Sequence, residues 1–231
     1  MTAYLLATLC QEAGLPAGVL NIVHGRGLKA GEAIVRHPAI RTISFTGGTL
    51  TGAAIARTAS PMFKKLSLEL GGKNPNMIFA DADRDEVVRE SLRSSFSNQG
   101  QVCLSGSRVF VEQSAYSTFV EQFVEATRRL KVGDPLEPAT DQGALVSKAQ
   151  LEKVLYYIQL ARDEGGHIQC GGGMPTSLPP RCRNGYFVEP TVITDLPVDC
   201  RVNREEIFGP VVTLTPFTGE EEVVGYANAT D

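Results

Sequence analysis

The 231-residue sequence contains no apolar run approaching the ~20 residues that a helix needs to cross a bilayer. Its opening, Met1-Thr2-Ala3-Tyr4-Leu5-Leu6-Ala7, has no basic leader and only a very short apolar stretch. It reads as one side of a helix rather than a signal peptide. Blocks of like charge are also missing, and the net charge is −4, which speaks against a nucleic-acid surface or an anionic membrane as partner. The five cysteines (10, 103, 170, 182 and 200) are odd in number and scattered. They form neither a disulfide framework nor a zinc spacing, so no metal is expected and each thiol is judged alone. A reducing, cytoplasmic setting is the expectation. Histidine is scarce, and none of His24, His37 and His167 sits in a recognisable catalytic motif. That weakens any cysteine–histidine hydrolase. There is no internal repeat and no low-complexity tail.

What is present is a globular composition, 42% hydrophobic and 21% charged, with 23 glycines for tight turns. Leu5, Leu6, Leu9 and Ala13 recur at helical spacing, predicting a helix over 1–14 closed by Gly14. A short strand over 19–23 and a helix ending at Arg36 follow. Further strands are expected at 40–45, 64–70 and 77–79, with a helix over 50–58. Strands alternating with helices predict a parallel sheet in an α/β fold. Beyond it come helices over 83–98, 115–130 and 147–164, the first with Asp81 or Asp83 near its N-cap. Strands are expected at 108–111, 187–193 and 211–217. A Gly- and Pro-rich loop fills 171–185, and a last helix begins near Glu220 and is cut off at Asp231. Four strands are few for a parallel sheet covered on both faces, and the last helix has no stop signal; a truncated chain is the expectation.

Four features could carry chemistry. Gly25-Arg26-Gly27 with Gly31 approximates a dinucleotide fingerprint but has one residue too many before the last glycine. Gly47-Gly48-Thr49-Leu50-Thr51-Gly52 follows a strand and opens a helix, where backbone N–H groups attract phosphate. Cys103 follows Asn98-Gln99-Gly100-Gln101-Val102, just past a helix; a lone cysteine is either a nucleophile or a small core hydrophobe. Glu69, between Leu68 and Leu70 at a strand end, is either placed where ligands bind or simply exposed on an alternating strand.

Together these segments resemble the aldehyde dehydrogenase family. The resemblance rests on Leu68-Glu69-Leu70-Gly71-Gly72-Lys73-Asn74-Pro75 and, 34 positions on from Glu69, on Cys103 in Asn98-Gln99-Gly100-Gln101-Val102-Cys103. Phe45-Thr46-Gly47-Gly48 and Glu205-Glu206-Ile207-Phe208-Gly209-Pro210 fit it too, and it covers nearly the whole chain. Residues 66–75 and 186–195 look most like the 2-aminomuconic semialdehyde dehydrogenase group, also described as retinal dehydrogenase-like.

The resemblance implies a partial Rossmann-like cofactor domain, residues 1–69, followed by a partial α/β catalytic domain, residues 70–231. It implies that Cys103 adds to an aldehyde and that Glu69 activates water to hydrolyse the resulting thioester. The Cys103 N–H would be one oxyanion donor. Gly47, Gly48, Leu50 and Gly52 would hold the pyrophosphate of NAD, with NADP an alternative. Glu206 would bind the nicotinamide ribose, Phe208 would pack beside the nicotinamide, and Gln150 and Lys153 would reach the adenosine ribose. Gly48 departs from the usual serine, losing a hydroxyl contact to phosphate. The partner is a small aldehyde, not a nucleic acid or a membrane; the family is usually homo-oligomeric.

The resemblance also implies that the second oxyanion donor, an asparagine, and the oligomerisation strands belong to segments outside these 231 residues. The chain alone is therefore expected to be inactive or nearly so. Two other functions fit the same residues: a non-catalytic truncated isoform that pairs with full-length subunits, and a cofactor-free hydrolase of activated esters.

Overall fold

The computed structural model describes residues 2–230, and the chain divides into two compact units, Met1–Leu70 and Gly71–Asp231. Met1 and Asp231, the two end points of the expected terminal helices, lie outside the described residues. Among the described residues, no helix is long and apolar enough to cross a membrane.

In the first unit, α1 (Thr2–Glu12) ends in the way its sequence foretells. Gly14 takes the left-handed conformation (φ 81°), and the Leu15 N–H reaches back to the Cys10 carbonyl at 2.9 Å. The strand expected at 19–23 does not form. A strand needs a hydrogen-bonding neighbour; here the Asn21 amide turns back to the Gly18 carbonyl at 2.9 Å, and Val19 and Val23 stay exposed. Gly27–Gly31 is wound in π geometry and runs into α2 (Glu32–Arg36).

β1 (Thr42–Gly47) and β2 (Lys65–Leu70) pair in parallel through α3 (Thr49–Ala59), and these are the only two strands of their sheet. The four-strand expectation for this part of the chain is thus corrected. Val35, Ile43, Ile55 and Ala59 form its small core. Lys64 is buried, and its ammonium donates to the Val35 carbonyl and, at 2.7 Å, to that of His37, closing the C-terminal end of α2 with a cation.

The second unit is built on a five-stranded sheet in the order β3-β4-β7-β6-β5. Its strands are β3 (Pro75–Ile78), β4 (Arg108–Glu112), β5 (His167–Cys170), β6 (Thr191–Thr194) and β7 (Val211–Phe217). All neighbours are parallel except β5 with β6. The sequence pattern did not single out β5, and it placed β6 early, at 187–193. Neither run alternates: Thr191–Thr194 is buried on both faces, and β5 is a four-residue edge strand.

Adjacent residues feed opposite cores. Val192, Val212 and Leu214 pack with Phe96, Phe119 and Phe123 from α4 (Arg84–Phe96) and α5 (Gln113–Arg128). Ile193 and Val211 pack with Leu151, Val154, Ile158 and Ala161 from α6 (Lys148–Asp163). Each long helix starts at a side-chain cap where one was available: Asp83 accepts from the Glu86 N–H, and Ser147 from the Gln150 N–H. A short α7 (Arg201–Arg204), unforeseen, precedes the Glu205–Pro210 segment.

The last helix, α8 (Glu220–Ala227), stops well before Asp231. Asn228 caps it through the Val224 carbonyl at 3.0 Å. The buried Arg108 guanidinium takes the Tyr226 and Ala227 carbonyls at 2.9 Å each, while its Nε holds the Lys73 carbonyl at 2.8 Å. The stop signal sits 119 positions away in sequence, beyond reach of any local pattern.

After α4 the chain makes a tight exit through three consecutive left-handed residues, Asn98 (φ 50°), Gln99 (φ 58°) and Gly100 (φ 66°), which shortens the helix expected over 83–98. A Cβ on Gly100 would stand 2.2 Å from the Gly209 carbonyl oxygen. Gly100→Ala is therefore expected to lower stability by about 2 kcal/mol or more, since strained φ and a backbone clash combine. Denaturant unfolding measures it, and a loss below about 0.5 kcal/mol, the level of an ordinary surface change, would contradict the close approach.

Candidate active site

On the first unit, the glycine cluster forms the junction between β1 and α3. Gly48 is extended (φ −70°, ψ 147°) and its carbonyl accepts from the Thr51 and Gly52 N–H groups. No side chain caps this helix, and no acidic residue lies in its first turn. Leu50 is exposed. Gly52 has a packing reason: a Cβ there would lie 2.6 Å from the Leu70 side chain. Glu69, in register with Thr46, lies near the C-terminal end of β2. Leu66, Leu68 and Leu70 turn to the half-buried face, so Glu69 is exposed on the other, as alternation requires. The sequence left open whether this carboxylate is buried among leucines, and it is not.

On the second unit, Cys103 occupies a tight turn. The Ser105 N–H bonds the Val102 carbonyl at 3.0 Å, leaving Cys103 and Leu104 at an exposed tip. Among the described residues, neither the Cys103 nor the Leu104 N–H has a protein acceptor. Asn74 supports the turn: its amide donates to the Cys103 carbonyl at 2.6 Å and to the Ser105 carbonyl at 3.2 Å. The other cysteines differ. Cys182 is buried, while Cys10, Cys170 and Cys200 are half-buried. Burial pushes the Cys170 thiol up and the Cys200 thiol up to about 11.

The Glu205–Pro210 segment gives two neighbouring glutamates different surroundings. Arg201 grips Glu205 with two hydrogen bonds, 2.8 and 3.0 Å, and the Tyr157 hydroxyl donates to it at 2.6 Å. These partners, the Arg201 hydrogen bond foremost, hold the Glu205 carboxyl below its usual range. Glu206 has no such partner among the described residues; its carboxylate lies over Gly71, where a Cβ would come within 1.9 Å of Oε1. Phe208 is left-handed (φ 58°). Gln150 makes that possible, its amide nitrogen donating to the Ile207 carbonyl at 2.9 Å and the Phe208 carbonyl at 2.7 Å. Gln150 was expected to reach the adenosine ribose; in the structure its donor is taken up by this turn. Lys153 follows one turn along the same face of α6 and is half-buried.

Lys73 was not singled out from the sequence. It is buried, and its ammonium nitrogen has no hydrogen-bond partner among the described residues. Burial lowers its pKa from 10.5 to about 7; Arg108 and Lys153 push the same way, and Cys200 and Glu206 oppose. The one sequence signal was the motif that carries it, between two glycines and Asn74. The task of Asn74 had no local signal, because its partners lie in the 102–105 turn; Arg201 was missed although its partner Glu205 is only four positions on, a pair within reach along one helix.

The model of the aldehyde dehydrogenase family matches residues 1–231. The 2-aminomuconic semialdehyde dehydrogenases of Danio rerio and Homo sapiens are each 52% identical to this chain, covering 99% of it and 47% of themselves. The 5-carboxymethyl-2-hydroxymuconate semialdehyde dehydrogenase of Escherichia coli is 48% identical over 99% of the chain and 48% of itself. The chain thus spans about half the length of the curated relatives it matches. Among solved structures, the betaine aldehyde dehydrogenase of Staphylococcus aureus in complex with NAD+ superposes with a TM-score of 0.95 at 36% identity, over 100% of this chain and 45% of that one.

Two outcomes follow from this geometry. Near neutral pH, limiting iodoacetamide is expected to label Cys103 ahead of Cys170, Cys182 and Cys200, read by peptide mass spectrometry; preferential labelling of Cys170 or Cys182 would contradict the exposed turn. Lys73 binds its proton at about 7 in the folded chain and at its ordinary 10.5 when unfolded. The unfolded chain holds the extra proton between those values, so this group makes stability rise with pH across that window, by up to about 1.4 kcal/mol per unit. Lys73→Met is expected to remove that slope. Parallel unfolding curves of wild type and variant at several pH values check it, and identical slopes would refute it.

Proposed function

The chain belongs to the aldehyde dehydrogenase family, and from that footing we propose that it serves oxidation of an aldehyde to a carboxylic acid with NAD(P)+ through a thioester on Cys103. The observation that carries the reading is the turn at 102–105: an exposed thiol beside an N–H with no protein acceptor. The Cys103 thiolate adds to the aldehyde carbon, the C–S bond forms, and the N–H of Cys103 stabilises the oxyanion. When bound, NAD(P)+ accepts the hydrogen and two electrons that the carbon gives up. Glu69 then takes a proton from water, which attacks the thioester; the C–S bond breaks, the acid leaves and the thiolate returns. Glu69 is exposed, as a base that must meet water has to be.

The residues fit a dinucleotide. An uncapped helix start with no acidic side chain, preceded by Gly47 and Gly48, suits a pyrophosphate, with Leu50 and Gly52 in its first turn. A carboxylate free of ion pairs, that of Glu206, suits the two hydroxyls of a ribose, and Phe208 offers a flat apolar surface for the nicotinamide. Lys153 and the Gln150 amide oxygen are the groups for the adenosine side. On this reading residues 1–69 are the later part of the NAD-binding domain and 70–231 belong to the catalytic domain. The substrate class is that of the 2-aminomuconic semialdehyde dehydrogenases, supported by 52% identity. The working compartment is the cytoplasm, where the five cysteines stay free as they are in the structure.

Whatever aldehyde-dependent NADH formation occurs is expected to require Cys103, so that Cys103→Ser shows none; turnover above background in that variant would sink the mechanism. Gly71→Ala offers a separate check on Glu206. The three atoms nearest the added methyl all belong to the flexible end of that side chain, so the carboxylate is the group expected to move. NAD+ affinity by calorimetry is expected to fall about tenfold, the scale of one lost charge-assisted hydrogen bond. Unchanged affinity would remove Glu206 from the ribose.

A further inference from the structure

We propose that Asn74 is a positioning residue for Cys103: its amide fork fixes the turn so that the thiol and the Cys103 N–H act on one carbonyl group. The proposal rests on Cys103 being the nucleophile. Asn74 is well placed to transmit rigidity from the sheet. Its own carbonyl accepts from the Arg108 N–H at 3.2 Å, and the next residue, Pro75, pairs with Arg108 where β3 meets β4. The two protons of its side-chain nitrogen go to two carbonyls of the turn, those of Cys103 and Ser105. Ser105 is buried and tied to α4 as well, its hydroxyl donating to the Ser95 carbonyl at 3.2 Å.

Holding the Cys103 carbonyl sets the peptide plane that follows the nucleophile. With Val102 accepting from Ser105 on the other side, Cys103 is fixed from both flanking peptides. Nothing else in the described residues grips its carbonyl. Without the fork the turn retains one hydrogen bond across its base and can rotate its tip, and the N–H then loses its aim at the oxygen of a substrate attacked by the same residue's sulfur.

Two reagents separate aim from reactivity. Iodoacetamide alkylates the thiolate by displacing iodide, with no oxyanion formed. p-Nitrophenyl acetate acylates it through an oxyanion: the C–S bond forms, the charge gathers on oxygen, and the collapse expels p-nitrophenolate. Both rates are measured at Cys103 in the whole chain, with the peptide identified by mass spectrometry and Cys103→Ser as control. Asn74→Ala is expected to slow acylation about tenfold or more while alkylation changes by less than about threefold, the pattern of a misaimed oxyanion donor. Asn74→Ser, which keeps one donor, is expected to restore part of the acylation rate. Asn74→Asp, which keeps the shape and loses the donor, is expected to behave like alanine or worse.

Acylation unchanged in Asn74→Ala, or both rates falling in proportion in every variant, overturns the positioning role. Absence of acylation at Cys103 in the wild-type chain, with other cysteines acylated instead, overturns the reading of Cys103 itself, and is told apart by that site of labelling.

Discussion

A single buried cation organises the second unit. Arg108 begins β4, between the edge strand β3 and the central β7, and sends its guanidinium to three backbone carbonyls, those of Lys73, Tyr226 and Ala227. A buried charge without partners would be prohibitive; here every contact is a carbonyl at 2.8–2.9 Å, and two of them are the unsatisfied end of α8. The ring of Phe110 lies beside it, 5.4 Å away. By fixing Lys73, Arg108 places the segment that carries Gly71 beneath Glu206 and Asn74 beneath Cys103. The same charge is one reason the neighbouring Lys73 gives up its proton so readily.

The elements around the thiol are held by backbone contacts of unusual conformation. The left-handed run Asn98, Gln99 and Gly100 ends α4, and Phe208 is left-handed on the facing segment. These conformations cost about 1–3 kcal/mol each for residues other than glycine. They persist because side-chain amides satisfy the carbonyls that such turns expose: Gln142 holds that of Phe96, Asn98 that of Gln101, and Gln150 those of Ile207 and Phe208. Asparagine and glutamine here do structural work in the shell of the site, while the reacting groups stand free.

The sequence disclosed the elements whose pattern is local. The Gly14 stop, an aspartate cap at 81 or 83 (Asp83 in the structure), the helices over α5 and α6, and the strands β1, β2, β4 and β7 follow from spacing and turn chemistry. It failed where the deciding partner is distant. The apolar run at 19–23 has strand composition but no neighbour, and β5 exists only because β6 offers an edge. The end of α8 depends on Arg108. The same division runs through the site. The motifs around Cys103, Glu69 and Glu206 were legible as a resemblance, and the Arg201–Glu205 pair is local though it was missed, whereas the tasks of Asn74 and of the Gln150 donor become visible only when the chain is closed.

The spans of these bonds carry a consequence for the order of folding. Asn74 reaches Cys103 across 29 positions, Gln150 reaches Phe208 across 58, and Arg108 reaches Ala227 across 119. Closing loops of that length precedes any reward from the contacts, so such bonds form late. During synthesis and early collapse Cys103 is therefore an ordinary thiol on a loose loop, unaimed. The fork from Asn74 can close once β3 meets β4, whereas the bonds that fix the surrounding segments wait for the last strand and helix, so a chain caught halfway has the nucleophile without its full setting.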